Sequence, residues 1–141
     1  MATEQEDCIE VQGRTHERPA GGDLKAALAR AVVAIHRRHL GRGPTKVQAF
    51  FRQNVVVVVL TEVMTTPEHT LVAAGRTELV ADVRRQLQVT MHDDLVLAVE
   101  TLTGCRVSAL MGDIDVAADT SAEVFVLDRP IEPAQPADRA G

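Results

Sequence analysis

The side chains best suited to chemistry in this 141-residue chain fall into four groups. The first is the turn Gly41-Arg42-Gly43-Pro44. A cation in a glycine-rich turn could hold an anion, but the spacing is not that of a phosphate-binding loop, and the turn follows a helix instead of opening one. Two readings stay open: a helix cap with a rigid turn, or Arg42 and Gly43 binding an anion or a partner's carboxylate. The second group is His36 and His39, three apart and able to share a helix face. A zinc site needs more ligands, and His69 and His92 stand in no fixed relation to them. The third is Asp113, Asp115 and Asp119. A calcium loop counted from Asp113 would want Gly at its sixth position, where Ala118 stands, so a solvated acidic hairpin loop is expected. The fourth is Glu68, His69, Asp93 and Asp94, possible acids or bases with no nucleophile, oxyanion hole or metal ligand set in register. Glu68 also suits the first turn of a helix by its charge alone. Arg84-Arg85 reads as the polar face of a helix or as the charged rim of an interface. From these residues no catalytic residue, no metal site and no cofactor is expected.

The elements that must position these groups are legible from periodicity. Asp23 is a good N-cap, and Leu24, Leu28, Ala31, Val32, Ile35 and Leu40 recur at helical spacing. Gly41 is the natural left-handed cap of that helix, and Pro44 prevents its resumption. Val47, Ala49 and Phe51 then alternate with polar neighbours, Gln53-Asn54 supplies a turn in which Asn can take the positive φ, and Val55–Leu60 forms a strand with no polar face. Thr65-Thr66-Pro67-Glu68 opens the next helix, with Thr as cap and Pro in the first turn. Gly75 ends it after about two turns.

A second amphipathic stretch repeats every four residues through Leu79, Val83, Leu87, Met91, Leu95, Val99 and Leu102, up to Gly104. As one helix it would be about 40 Å long, longer than strands of about 20–25 Å. It should therefore pair with a second subunit or break near His92-Asp93-Asp94, and a break is the preferred expectation. Cys105–Leu110 and Ala122–Leu127 read as two further strands. The order α-β-β-α-α-β-β predicts an α+β two-layer sandwich: a four-stranded, mainly antiparallel sheet with helices on one face. A tight first hairpin would bring the Gly41–Pro44 turn and the Val63–Pro67 loop to the same end of that sheet. Arg42 would then face the start of the Pro67 helix, whose free N–H groups attract anions.

Composition bounds the rest. Hydrophobic residues make up 45% of the chain, with no Trp, no Tyr and three Phe, so the core must be aliphatic. The net charge of −5 supplies no basic field for nucleic acid, and the aromatic platforms that single-strand readers use are missing. Two cysteines, Cys8 and Cys105, make no disulfide framework. The acidic start lacks the pattern of a signal peptide, and the longest apolar run, Val55–Leu60, is far short of the roughly 20 residues that span a bilayer. A soluble, cytoplasmic protein without direct membrane insertion is expected. Residues 1–22 read as a disordered leader, 23–128 as a single domain, and 129–141, with Pro130, Pro133 and Pro136, as a flexible tail.

Several of these segments, in this order, resemble a bacterial family called MpsC-type, after a sodium-translocating, membrane-potential-generating system. They are His36-Arg37-Arg38-His39-Leu40-Gly41-Arg42-Gly43-Pro44, the Val47–Leu60 hairpin, Thr66-Pro67-Glu68-His69-Thr70-Leu71 and Arg84. Leu102-Thr103-Gly104-Cys105-Arg106-Val107, Asp113-Ile114-Asp115 and Val124-Phe125-Val126-Leu127 follow. The resemblance covers about residues 24–128. It implies an accessory component linked to ion or bicarbonate uptake machinery, and no established catalytic residues. Met91-His92-Asp93-Asp94 departs from the family pattern, where a Pro-containing helix break is expected. Two functions follow as expectations. One is a non-enzymatic interaction module, a homodimer serving a membrane-transport partner. The other is a small-anion sensor or enzyme at the Arg42/Pro67 end, with Arg42, Gly43, Thr66, Glu68 and Arg84 as the candidate binding residues.

Overall fold

A computed structural model of the chain describes residues 8–10 and 21–132. The elements run β1 (Cys8–Glu10), α1 (Gly21–Leu40), β2 (Lys46–Arg52), β3 (Val55–Thr61), α2 (Thr66–Ala73), α3 (Thr77–Thr103), β4 (Val107–Asp115) and β5 (Thr120–Leu127). The strands form one antiparallel sheet in the order β1-β2-β3-β5-β4. The α+β class and the order α-β-β-α-α-β-β are as expected. The sheet gains a fifth strand, because Cys8–Glu10 adds to the edge of β2. Three residues joining an open edge by backbone hydrogen bonds leave no periodicity for a sequence to display, so the reading of 1–22 as disordered fails at that strand. The remainder of that leader, and the tail beyond residue 132, lie outside the described residues.

Alternation decides which face of the sheet meets the helices. Val56, Val58 and Leu60 of β3 and Phe125 and Leu127 of β5 are buried, together with Leu28, Val32 and Ile35 of α1 and Met91, Leu95 and Val99 of α3. The valines between them, Val55, Val57 and Val59, are only half-buried. The hydrophobic core is thus the layer between one sheet face and the α1–α3 pair.

Local signals explain the joints. α1 begins two residues before Asp23 and ends at Gly41, whose φ of 84° is left-handed and whose N–H donates to the Arg37 carbonyl. In the β2–β3 turn the positive φ falls on Gln53 and not on Asn54. Asn54 instead donates from its amide to the Leu127 carbonyl, tying the hairpin to β5. β4 continues to Asp115, five residues past its expected end, with Leu110, Gly112 and Ile114 on its core-facing side and the acidic residues between. The connecting loop shrinks accordingly to residues 116–119. Ile131, in the expected tail, donates from its backbone N–H to the Gln53 carbonyl and packs on the core.

α3 is one helix of 27 residues, not two. Met91 and Leu95, four apart, both stay in the core through the expected break, and Asp94 turns to α1 instead of capping a new start. The four-residue stripe does not stay buried along its length. Four residues advance a helix by about 400°, so such a stripe drifts by about 40° per repeat. Leu79 and Val83 accordingly lie exposed at the amino end, where Val80, Ala81 and Arg84 are buried in their place.

Candidate functional site

The first hairpin does bring the Gly41–Pro44 turn beside the Val63–Pro67 loop. Arg42 crosses between them and donates to the Met64 carbonyl at 2.5 Å. Gly43 lies against α1: a Cβ there would sit 3.3 Å from Val33 Cγ1 and 3.2 Å from the Arg37 guanidinium. The start of α2 is closed by a reciprocal cap. The Thr65 hydroxyl accepts from the Glu68 N–H at 3.3 Å, and Glu68 Oε1 accepts from the Thr65 N–H at 2.8 Å. Thr66 is the first helical residue, and its carbonyl accepts from the Thr70 hydroxyl. Asp119, reaching across from the β4–β5 turn, accepts from the N–H groups of Val63 and Met64 at 2.9 and 2.8 Å. The donors that an external anion would use are therefore held by the chain's own Glu68 and Asp119 carboxylates, and Arg42 is held by a carbonyl.

Glu68 and Arg84 meet. Arg84 donates from Nε to Glu68 Oε2 and from an η nitrogen to Oε1, both at 2.8 Å, and the same η nitrogen donates to the Val63 carbonyl at 2.7 Å. Both side chains are buried. Burial is the largest single influence on the Glu68 carboxyl and pushes its pKa up. The hydrogen bonds from Arg84 and from the Thr65 N–H, the Arg84 charge and the Thr65 hydroxyl together outweigh it and hold the group below its ordinary 4.5. One residue thus caps α2 and clamps α3 to the loop that enters α2.

A second polar group continues from Arg84 into the core. On β5, Ser121 and Glu123 stand in phase with Phe125 and Leu127 and point at the helices. Glu123 Oε1 accepts from the Gln88 amide of α3 at 2.7 Å, and Oε2 lies 3.4 Å from His36 Nε2 of α1. His36 Nδ1 lies 3.0 Å from the Val32 carbonyl, one turn back, so it carries the hydrogen of that contact. The sheet makes room for the carboxylate through Gly112, which pairs with Glu123 across the β4–β5 ladder. A Cβ at Gly112 would overlap Glu123 Oε1 and come within 3.0 Å of the Ala122 carbonyl. His36, Gln88, Gly112, Ser121, Glu123 and Arg84 border a cavity of about 20 Å³, room for a single water and no metabolite. Ser121 Oγ is buried there without a hydrogen-bond partner among the described residues. Sequence reasoning missed Glu123, Ser121 and Gln88. The available signal was a carboxylate in phase with Phe125 and Leu127 on a core-facing strand.

The other expected groups are dispersed. His39 and Arg38 both approach Asp94 Oδ2 at 3.1 Å, and these hydrogen bonds, His39's first, hold the Asp94 carboxyl below the usual carboxylate range. His69 lies 3.5 Å from Asp119, and Arg85 pairs with Asp82 and approaches Asp113 at 3.7 Å. Asp113, Asp115 and Asp119 do not converge, and no cluster of three or more His, Cys, Asp or Glu able to hold a metal occurs among the described residues.

The largest concavity lies elsewhere, on the outer side of the helix layer. Between α1 and α3 runs a groove of about 520 Å³, floored by Ala27, Ala31, Ile35 and Ala98 and flanked by Leu97 and Leu102. Small side chains on both helices open it, and Arg30, Arg38 and Asp94 stand among its lining residues. Leu97 is 64% exposed beside it. No helix among the described residues is long and apolar enough to cross a membrane.

Searches of curated proteins and of solved structures return no match to the chain. A family model described as the Na+-translocating membrane potential-generating system (MpsC) matches residues 20–129, from the start of α1 to just past β5. That span takes in the helix pair, its groove and the whole Glu68–Arg84 and His36–Glu123 network, and the chain belongs to the MpsC family.

Proposed function

We propose that this chain is a non-enzymatic, cytoplasmic accessory module of a membrane-potential-generating system, acting by holding a transport partner. The observation that supports this reading is the α1–α3 groove. It is the largest concavity of the described residues, its floor is alanine and aliphatic, and an exposed leucine stands at its edge. Such a groove suits an amphipathic helix laid along it, with apolar anchors at helical spacing. Arg30, Arg38 and Asp94 would meet polar groups on either side of that stripe. The polar network, by contrast, is spent on the fold: its carboxylates cap, clamp or pair within the chain.

The family name supports the physiological setting, since it ties the chain to membrane potential. The alternative, a small-anion sensor or enzyme at the Arg42/Pro67 end, is the weaker reading, because the donors there are already engaged. The test is made in cells. A photo-crosslinking residue in place of Leu97 should capture a membrane-transport protein. Leu97→Asp should lower the membrane potential read by a voltage-sensitive dye, while far-UV circular dichroism of the purified variant stays unchanged. A deletion strain with normal potential and normal ion-limited growth would end this reading.

A further inference from the structure

The sheet has a second face, and its side chains are neither polar nor covered by a helix of the described residues. Strand register orders it into rows. Phe50 of β2, Val57 of β3, Val124 of β5 and Met111 of β4 are successive partners across the sheet, on the side away from the helices. Met111 is 54% exposed. Two places along the strands a parallel row runs from Lys46 through Thr61 and Thr120 to Asp115. The β2 side of this face therefore ends in a cation and the β4 side in an anion, on one row. Both are exposed. Asp115 Oδ1 accepts from the Ala118 N–H, which leaves its other oxygen.

We propose that this face packs against the same face of a second copy of the chain, about a two-fold axis parallel to the strands. Such an axis keeps position along the strands and exchanges the two sides. It sets Lys46 of each copy opposite Asp115 of the other, Phe50 opposite Met111, and Val57 opposite Val124. Stacked sheets with nearly aligned strands are one of the two ways sheets pack face to face, and an isologous contact needs a self-complementary surface of this kind. The alternative axis, in the plane but across the strands, would put Lys46 over Arg52 at the other end of β2, a like-charge contact. Lys46 and Asp115 of one chain lie three strand spacings apart, about 14 Å, so they cannot pair within a subunit. The patch measures about 19 by 24 Å. That is large for exposed apolar surface on a monomer and small for an interface, so a dissociation constant on the order of micromolar is expected. This surface is separate from the α1–α3 groove, and a dimer would leave that groove open.

The test is sedimentation velocity of the full chain over about three decades of concentration around the micromolar range. A reversible monomer–dimer equilibrium is expected. Lys46→Asp and Asp115→Lys should each weaken it by about tenfold or more, since the two-fold axis doubles every lost pair. The combined Lys46→Asp/Asp115→Lys chain should recover dimerisation to within about threefold of the parent. Met111→Glu should be monomeric, with unchanged circular dichroism. A chain that stays monomeric throughout would overturn the proposal and assign the face to another occupant. A dimer indifferent to Met111→Glu and to both charge reversals would overturn it too, and place the contact elsewhere. Neither outcome bears on the cellular crosslink from Leu97.

Discussion

Replacing Arg84 by Met should be among the most damaging single changes outside the aliphatic core. The guanidinium makes three short hydrogen bonds, two to Glu68 and one to the Val63 carbonyl. Glu68 and Arg84 are 8% and 7% exposed, so water cannot replace what is lost. Breaking a buried pair from one side typically costs about 3–5 kcal/mol, because the remaining charge stays buried without its partner. Glu68 keeps the Thr65 N–H and hydroxyl, so the lower end, about 3 kcal/mol, is expected. For a domain of this size that is a fall in Tm of about 10–15 °C.

The double variant Glu68→Leu/Arg84→Met removes both charges and should cost less than Arg84→Met alone. Urea unfolding followed by far-UV circular dichroism reads all of these at one fixed protein concentration, as the chain has no Trp or Tyr to report. Acid adds an independent check. The Glu68 pKa is lower folded than unfolded, so the unfolded chain binds the proton more readily. The stabilisation is fully present above about pH 4.5 and is lost as pH falls through the lowered folded value. Arg84→Met should flatten that part of the pH–stability curve. An Arg84→Met chain within about 0.5 kcal/mol of the parent, the range of an ordinary surface change, would refute the clamp.

Gly112→Ala should destabilise by about 1–3 kcal/mol, because the new methyl group meets the Glu123 carboxylate on one side and the Ala122 backbone on another; the same urea titration reads it. Thr65→Ala removes the hydroxyl half of the α2 cap and should cost about 1 kcal/mol. Ser121→Ala deletes a buried hydroxyl with no partner among the described residues and should raise stability by about 1 kcal/mol. A loss of that size instead would mean that a bound water satisfies it.

Most of the architecture was legible before folding because it rests on signals within one or two turns of chain. Gly41, Gly75 and Gly104 mark three helix ends through left-handed φ that other residues resist. Thr65 and Glu68 announce the start of α2 three residues apart. Alternation marks β2 and β5. The same local character explains the failures. α3 is continuous because Asp94 finds Arg38 and His39 on another helix, 56 and 55 residues away, and a local scan credits that aspartate with a cap instead. The strand at Cys8–Glu10 exists only because β2 has an open edge beside it.

The candidate site divides in the same way. Arg42, Glu68 and Arg84 could be singled out by residue type and by place in an element, and the hairpin's geometry brought the Arg42 turn to the loop before α2. Whether those charges face solvent or one another depends on distances across the fold. A guanidinium takes the partner that desolvation makes most favourable, and here that is Glu68, sixteen residues away on the next helix. His36, Gln88, Gly112 and Glu123 become neighbours only when α1, α3 and two strands stack. Periodicity alone determined the elements and their order. Which polar groups they trap, and which apolar face they leave open, was decided by tertiary packing, because burial belongs to the assembled layers and not to any segment of them.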